Sequence, residues 1–253
     1  KIAAWRRPDT TQQHDTDSRM ALSGAQKRVA AAGVAAAVAA VFYVFAPMGR
    51  PASSAGVLVE PKTRIGFETE RNHLALLGAG VRVKKIGPIG VNVYAVGLYG
   101  DARRFESKAT AAVAAGSKDS YWKLLRTPTG GAKRTLRLVF ARTVGGAIIV
   151  DALASVAGVA DKVRDAFRDR MLAAIGDTLS KGESIELSCA AGAGALKVSV
   201  RDAAAFAVDG KGLCDAVFAL YLGGGAGAVV SPALRDALWR RAPELFSSSS
   251  SKS

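Results

Sequence analysis

Apolar residues run together or alternate with polar ones, in strand fashion, over TLRLVFAR (135–142), ESIELSCA (183–190) and LKVSVR (196–201), with Val, Ile, Leu and Phe throughout. In GGAIIVDALASVAG (145–158), DKVRDAFRDRMLAAIGDTLS (161–180) and CDAVFALYLG (214–223) the apolar residues instead fall three and four apart, as on amphipathic helices. Strands come first, a helical pair interrupts them, and strands return before the closing helices. That order predicts an α+β domain over 55–246, an antiparallel sheet with helices packed on one face. Ser231-Pro232 reads as an N-cap followed by proline at the first helical position, so a final helix closes the domain. The GGGAG run at 223–227 follows a helix and is not followed by Gly-Lys-Ser/Thr, so it reads as a helix-to-helix connector and not as a phosphate loop.

The stretch GAGVRVKKIGPIGVNVYAVGLYGDA (78–102) predicts two strands joined by a Gly-Pro turn, with Arg82 and Tyr94 among residues expected to be buried. Strict alternation puts Asn92, Tyr94, Val96 and Leu98 on one face and Val93, Ala95, Gly97 and Tyr99 on the other. An arginine on one strand and a tyrosine on its neighbour can meet in a cleft under the helices, where together they would hold a carboxylate or another oxyanion. The plainer alternative is a snorkelling arginine with a tyrosine at the sheet edge.

Four further segments lie outside this domain. Residues 1–28 form a polar arm without sustained periodicity, and a chain beginning at Lys1 reads as processed or incomplete at its start. Residues 29–48, VAAAGVAAAVAAVFYVFAPM, carry no charge over the length of one bilayer crossing and predict a transmembrane helix, with small residues that would let another helix approach closely. Lys1, Arg6, Arg7, Arg19, Lys27 and Arg28 precede this span, whereas the first residues after it offer Arg50, Lys62 and Arg64, which places the N-terminus on the side of synthesis or matrix. Residues 49–54 read as a linker and the tail 247–253, SSSSSKS, as disordered.

Charge and composition remove more readings than they add. The 253 residues carry a formal charge of +14, which suits an anionic partner, but the basic residues are scattered and no recognition-helix or zinc-finger spacing occurs, so nucleic-acid binding is not expected. The two cysteines, Cys189 and Cys214, have neither CxxC spacing nor a nearby histidine; no metal site is expected, and two buried thiols are expected in preference to a bridge. His14 and His73 are the only histidines, too little material for a catalytic triad. Asp151, Asp165 and Asp169 lie on helices rich in arginine and read as solvated ion pairs rather than as a carboxylate site.

The segments GAGVR (78–82), VYAVGLYGDA (93–102), TGGAKRTLRLVF (129–140), LCDAVFALYLG (213–223) and VSPALRDALWRR (230–241) together resemble the chalcone isomerase fold family, and within it the non-catalytic, fatty-acid-binding branch. The resemblance implies an open-faced β-sandwich, a large antiparallel sheet covered by helices with the ligand cleft between them. It implies that Arg82 stands where the true isomerases have a flavonoid-binding arginine. Tyr94 replaces their threonine, Phe140 their strand lysine, Ile149 and Val156 a tyrosine and an asparagine, and Leu220, followed by Tyr221, a late threonine. Ring closure of a chalcone needs positioned polar groups at the developing enolate, and loss of one such donor costs about 10²–10³ in rate. The replacements therefore imply no isomerase activity, no catalytic residues, and a ligand site of Arg82, Tyr94, Phe140 and Tyr221 for a fatty acid or another lipid.

No dedicated cofactor is expected. A haem stays open as a ligand, since Arg82 would pair with a propionate, although no axial histidine or methionine occurs at the cleft motifs. With the predicted span, arm and basic surface, the resemblance implies an accessory subunit of a respiratory-type complex in the mitochondrial inner membrane, with a plastid membrane as the alternative location. Its expected partners are other membrane subunits and membrane lipid. A free-standing, membrane-anchored fatty-acid-binding protein is the alternative function, with an active chalcone-flavanone isomerase a third reading that the replacements disfavour.

Overall fold

The strand periods come together in a single seven-stranded antiparallel sheet. The computed structural model describes residues 56–127, 131–190, 192, 194–223 and 229–246. The arm, the predicted span at 29–48, the linker and the tail lie outside the described residues, among which no helix is long and apolar enough to cross a membrane.

In chain order the elements are β1 (Val57–Val59), β2 (Gly66–Glu68), β3 (Glu70–Arg71), β4 (Leu74–Ile86), β5 (Ile89–Gly100), α1 (Ala102–Ala114), α2 (Lys118–Arg126) and β6 (Lys133–Phe140). They continue as β7 (Val144–Gly145), α3 (Gly146–Ala154), α4 (Asp161–Ile175), β8 (Thr178–Leu179), β9 (Ser184–Ala190), β10 (Ala195–Val200), β11 (Phe206–Asp209), α5 (Leu213–Leu222) and α6 (Pro232–Phe246). The large sheet runs β11-β10-β9-β6-β5-β4-β3, while β1-β2 and β7-β8 are separate ribbons.

The two faces of the sheet differ. On one, Val96, Leu98, Leu136, Leu138, Ile185 and Leu187 are buried in the same core as Phe105 of α1, Tyr121 of α2, Ile149 of α3, Phe167 of α4, Val217 of α5 and Leu234 of α6. All six described helices thus cover the same face. On the other, Phe67 of the β1-β2 ribbon packs with Leu74, Leu76, Ala79, Ala95, Tyr99 and Val139, and polar residues of β6 and β9 lie beyond them. There Thr135 meets Ser188 at 2.8 Å, and Glu186 pairs with both Arg71 and Arg137. This is an α+β, open-faced arrangement, as the strand and helix periods and the resemblance predicted.

Helices α1 and α2 and strand β11 have no counterpart in the sequence reading. Helix α1 buries Phe105, Ala109 and Ala112 at helical spacing behind an Asp101 N-cap, but alanine makes the apolar stripe faint. Ser231 does cap α6, its Oγ accepting from the Leu234 amide at 3.2 Å, and the 223–227 run does fall between α5 and α6.

Two glycines of the GAGVR stretch decide where α6 lies. A Cβ on Gly80 would stand 2.3 Å from the Leu234 nitrogen, and one on Gly78 would stand 3.0 Å from a Leu238 methyl. Backbone therefore packs on backbone here. Ser231 Oγ also donates to the Val81 carbonyl at 2.9 Å, which anchors the start of α6 to β4.

The expectation of two free thiols is overturned: Cys189 and Cys214 form a disulfide, with their Cα atoms 6.1 Å apart. Sequence spacing held no sign of it, because the pair meets only once β9 ends beside the first turn of α5. Asp151 also departs from the i, i+4 pattern, pairing across to Arg168 of α4 at 2.9 Å.

Candidate functional site

A register shift in the β4-β5 pair shapes the site. Arg82 lies opposite Tyr94 and Val83 opposite Asn92, so Val93 is an extra, unpaired residue in β5. A bulge of this kind re-aims side chains. Val93 joins Tyr94 on the helix-covered face, while the Asn92 amide turns away toward the Lys62 carbonyl at 3.4 Å. This corrects the strict alternation, which placed Asn92 beside Tyr94 and Val93 opposite.

Arg82, Tyr94 and Phe140 then form one row across three strands, since Tyr94 pairs with Arg82 on one side and Phe140 on the other. The Arg82 Nη1 donates to the Val230 carbonyl at 2.7 Å. No described residue takes a hydrogen bond from its Nε or Nη2, so these stay available to a ligand. The Tyr94 and Tyr221 hydroxyls lie 2.9 Å apart. One of them donates to the other, and the acceptor keeps its own proton for a further partner. Burial pushes both phenols up, and the Arg82 guanidinium works against that shift in each. Both remain neutral donors at neutral pH.

Helix α5 is pinned so that Tyr221 meets Tyr94. At its start, Cys214 is bridged to β9 and Asp215 accepts from Arg134 Nη2 at 2.6 Å. Arg134 is itself buried, stacks 4.3 Å over the Phe218 ring, and donates to the carbonyls of Leu125 and Arg126. Burial lowers its pKa and the hydrogen bond it donates to Asp215 opposes that, yet an arginine stays protonated. At the far end of α5, Arg126 Nη1 holds the Gly223 carbonyl at 2.6 Å. Tyr221 stands seven residues beyond Cys214, about two turns along this fixed rod.

Beside the polar group opens a cavity of about 450 Å³, lined by the outer ends of β4 and β5, by β7 and α3, and by Leu220 and Tyr221 of α5. The volume falls in the range of small-molecule sites, about 300–1,000 Å³. Its walls are mostly aliphatic, with Val91, Val93, Val144, Ile149, Leu153 and Leu220, and Arg82, Lys84 and Arg142 are its cations. Among its lining residues there is no carboxylate. Such a space accepts an apolar chain with an anionic head at one end.

Of the residues singled out in the sequence, Arg82, Tyr94 and Tyr221 all line this cavity. Phe140 does not. It is fully buried and meets Tyr94 edge to face at 5.5 Å, backing the phenol from behind. Of the replaced isomerase positions, Ile149 and Leu220 line the cavity, whereas Val156 is buried elsewhere in the core. Sequence reasoning missed Lys84 and Arg142, and both lie on segments it had read as strand. Their only signal was lack of an acidic neighbour, which without the fold is no signal. Among the described residues no cluster of histidine, cysteine or acidic side chains could hold a metal ion.

Comparison with known proteins agrees with this architecture. The sequence model of the chalcone isomerase-like family matches residues 52–238. Among solved structures, a fatty-acid binding protein of Arabidopsis thaliana superposes with a TM-score of 0.59 at 21% identity, over 75% of this chain and 98% of that one. At that identity the likeness shows the fold alone. No curated protein matches the chain.

Proposed function

This chain belongs to the chalcone isomerase-like family, and from that premise we propose that it is a non-catalytic protein that binds a fatty acid or a related anionic lipid. The observation that carries the reading is that Arg82 and the Tyr94–Tyr221 hydroxyl pair line one cavity whose walls are mostly aliphatic. Arg82 supplies the charge for a carboxylate, a neutral tyrosine supplies a second donor, and Val93, Ile149, Leu153 and Leu220 surround the acyl chain. Where the resemblance places the isomerase's polar groups, Ile149 and Leu220 present hydrocarbon, which supports the absence of catalysis. The name of the Arabidopsis structure supports the same ligand class.

Arg82→Ala tests the head-group role by displacement of a fluorescent fatty acid. Charge-assisted hydrogen bonds contribute about 1.5–3 kcal/mol, so affinity should fall by about 10- to 150-fold. The methyl ester of the same acid, which lacks the charge, should bind wild type and variant alike, and Arg82→Lys should recover part of the loss. An Arg82→Ala protein that melts normally and binds the acid as tightly as wild type would sink the reading.

The uncharged run at 29–48 supports a compatible second reading, in which this domain is an anchored accessory subunit of an organellar inner-membrane complex. The Cys189–Cys214 bridge supports a compartment where thiols are oxidised. Mild detergent extraction followed by native separation is expected to show the chain migrating with stoichiometric membrane subunits. Migration as a monomer would leave the carrier role and remove the subunit role.

A further inference from the structure

The β4-β5 pair continues beyond the sheet as a two-stranded tongue. Strand β6 accompanies β5 only from Tyr94 onward, and β3 accompanies β4 only at Leu74 and Ala75, so residues 83–92 pair with each other alone in the large sheet. Every residue from Lys84 to Gly90 is exposed. At the tip, Ile86 pairs with Ile89 across the two-residue turn Gly87-Pro88, where Gly87 has φ +58°, a value that glycine adopts readily.

Three of the most exposed large apolar side chains among the described residues gather here. Ile86 is 59% exposed and Ile89 65%, and Ile148, at the start of α3 on the other side of the cavity, is 56% exposed. Ile86 and Ile148 both line the cavity that holds Arg82. Exposed isoleucine disfavours solution, and one such residue needs no explanation, but a group of them around an opening does.

The charges of the tongue have one sign, and Arg142 adds a third cation; at the start of α3 an exposed acid, Asp177, lies beside Gly146, whose amide its carbonyl takes at 2.7 Å. Lys84, Lys85 and Arg142 are exposed, and none forms an ion pair with a described carboxylate. No Asp or Glu occurs between Leu77 and Gly100. On α3 the acidic residue is Asp151, already paired with Arg168. Aliphatic tips framed by long cationic side chains match the boundary of an anionic bilayer, where the tips enter the acyl region and the ammonium groups stay among the headgroups.

We propose that the tongue tip and the start of α3 dock the cavity mouth on an anionic membrane surface, with Ile86, Ile89 and Ile148 inserted and Lys84, Lys85 and Arg142 on the lipid headgroups. The cavity then opens toward the phase in which a lipid ligand is dissolved. That last step rests on the lipid-binding reading, whereas the docking itself rests on the exposed surface.

The test uses the full chain with Ile89→Cys carrying an environment-sensitive fluorophore; Cys189 and Cys214, being bridged, do not compete for the label. A second preparation carries the label at Lys197→Cys, an exposed position on β10. On vesicles of phosphatidylcholine with phosphatidylserine, the label at 89 is expected to shift to the blue and to be quenched by lipid-borne nitroxide, while the label at 197 stays in water. Removing both lysines of the tongue, Lys84→Gln with Lys85→Gln, should weaken this entry about 30-fold at about fivefold per charge. A label at 89 that stays aqueous, that enters phosphatidylcholine alone equally well, or that behaves like the label at 197 overturns the proposal. Any attachment through other parts of the chain brings the protein to the vesicle but does not bury position 89. Arg82→Ala, which should weaken fatty-acid binding in solution, should leave entry at 89 unchanged, so the two readings fail separately.

Discussion

Gly80→Ala is expected to lower the melting temperature by about 6–12 °C, the equivalent of about 3 kcal/mol in a domain of this size. Ordinary overpacking forces a side chain aside. Here the added methyl would stand 2.3 Å from the Leu234 nitrogen and 2.6 Å from the Ala233 carbonyl carbon, so a whole helix has to move. Helix α6 cannot move without cost, because the Ser231 hydroxyl holds the Val81 carbonyl and its own N-terminal amide together. The shift would also displace Val230, whose carbonyl orients Arg82, so ligand affinity should fall with stability. Gly194→Ala, where nothing lies within 4 Å of the new methyl, is the neutral control. Thermal melts of the two variants check the expectation. If Gly80→Ala melted as Gly194→Ala does, the backbone contact between α6 and β4 would be wrong.

Opening the Cys189–Cys214 bridge should have an effect of similar size. The bridge spans 25 residues of sequence, and closing a loop of that length removes denatured-chain entropy amounting to about 3.5 kcal/mol at 25 °C. In a domain of this size that is about 7–14 °C in melting temperature. The loss should extend to the site, since the bridge holds the first turn of α5, while Asp215 continues to hold Arg134 and keeps part of the helix in place. Reductant, or Cys189→Ala with Cys214→Ala, should therefore lower the melting point and weaken fatty-acid binding by a smaller factor than Arg82→Ala does. Alkylation under denaturing conditions before and after reduction, read by intact mass, checks the bridge itself. A melt that reductant leaves unmoved would refute the stabilising role.

Much of the site was visible along the chain because its key residues violate a local pattern. A guanidinium and a phenol in neighbouring apolar strands are conspicuous, and the Gly-Pro turn between them sets up their pairing. Tyr221 was visible only through the family resemblance, as one aromatic residue on an apolar helix. Lys84 and Arg142 were not visible as cavity residues, since a cation on a strand end is ordinary until the fold shows what it faces.

Local pattern carried the class of the fold, the order of β4, β5, β6, α3, α4, β9, β10 and α5, and, through Ser231-Pro232, the capped start of the last helix, because these depend on residues within a turn or two of one another. Alternation failed at Val93, where a bulge depends on which residue of β4 each residue of β5 meets. The disulfide, the backbone contact at Gly80 and the Tyr94–Tyr221 hydrogen bond join positions 25, 154 and 127 residues apart. No local preference encodes such distances. They follow from the packing of α5 and α6 on the sheet, and the cavity, with its cations and its exposed isoleucines, exists only where those elements meet.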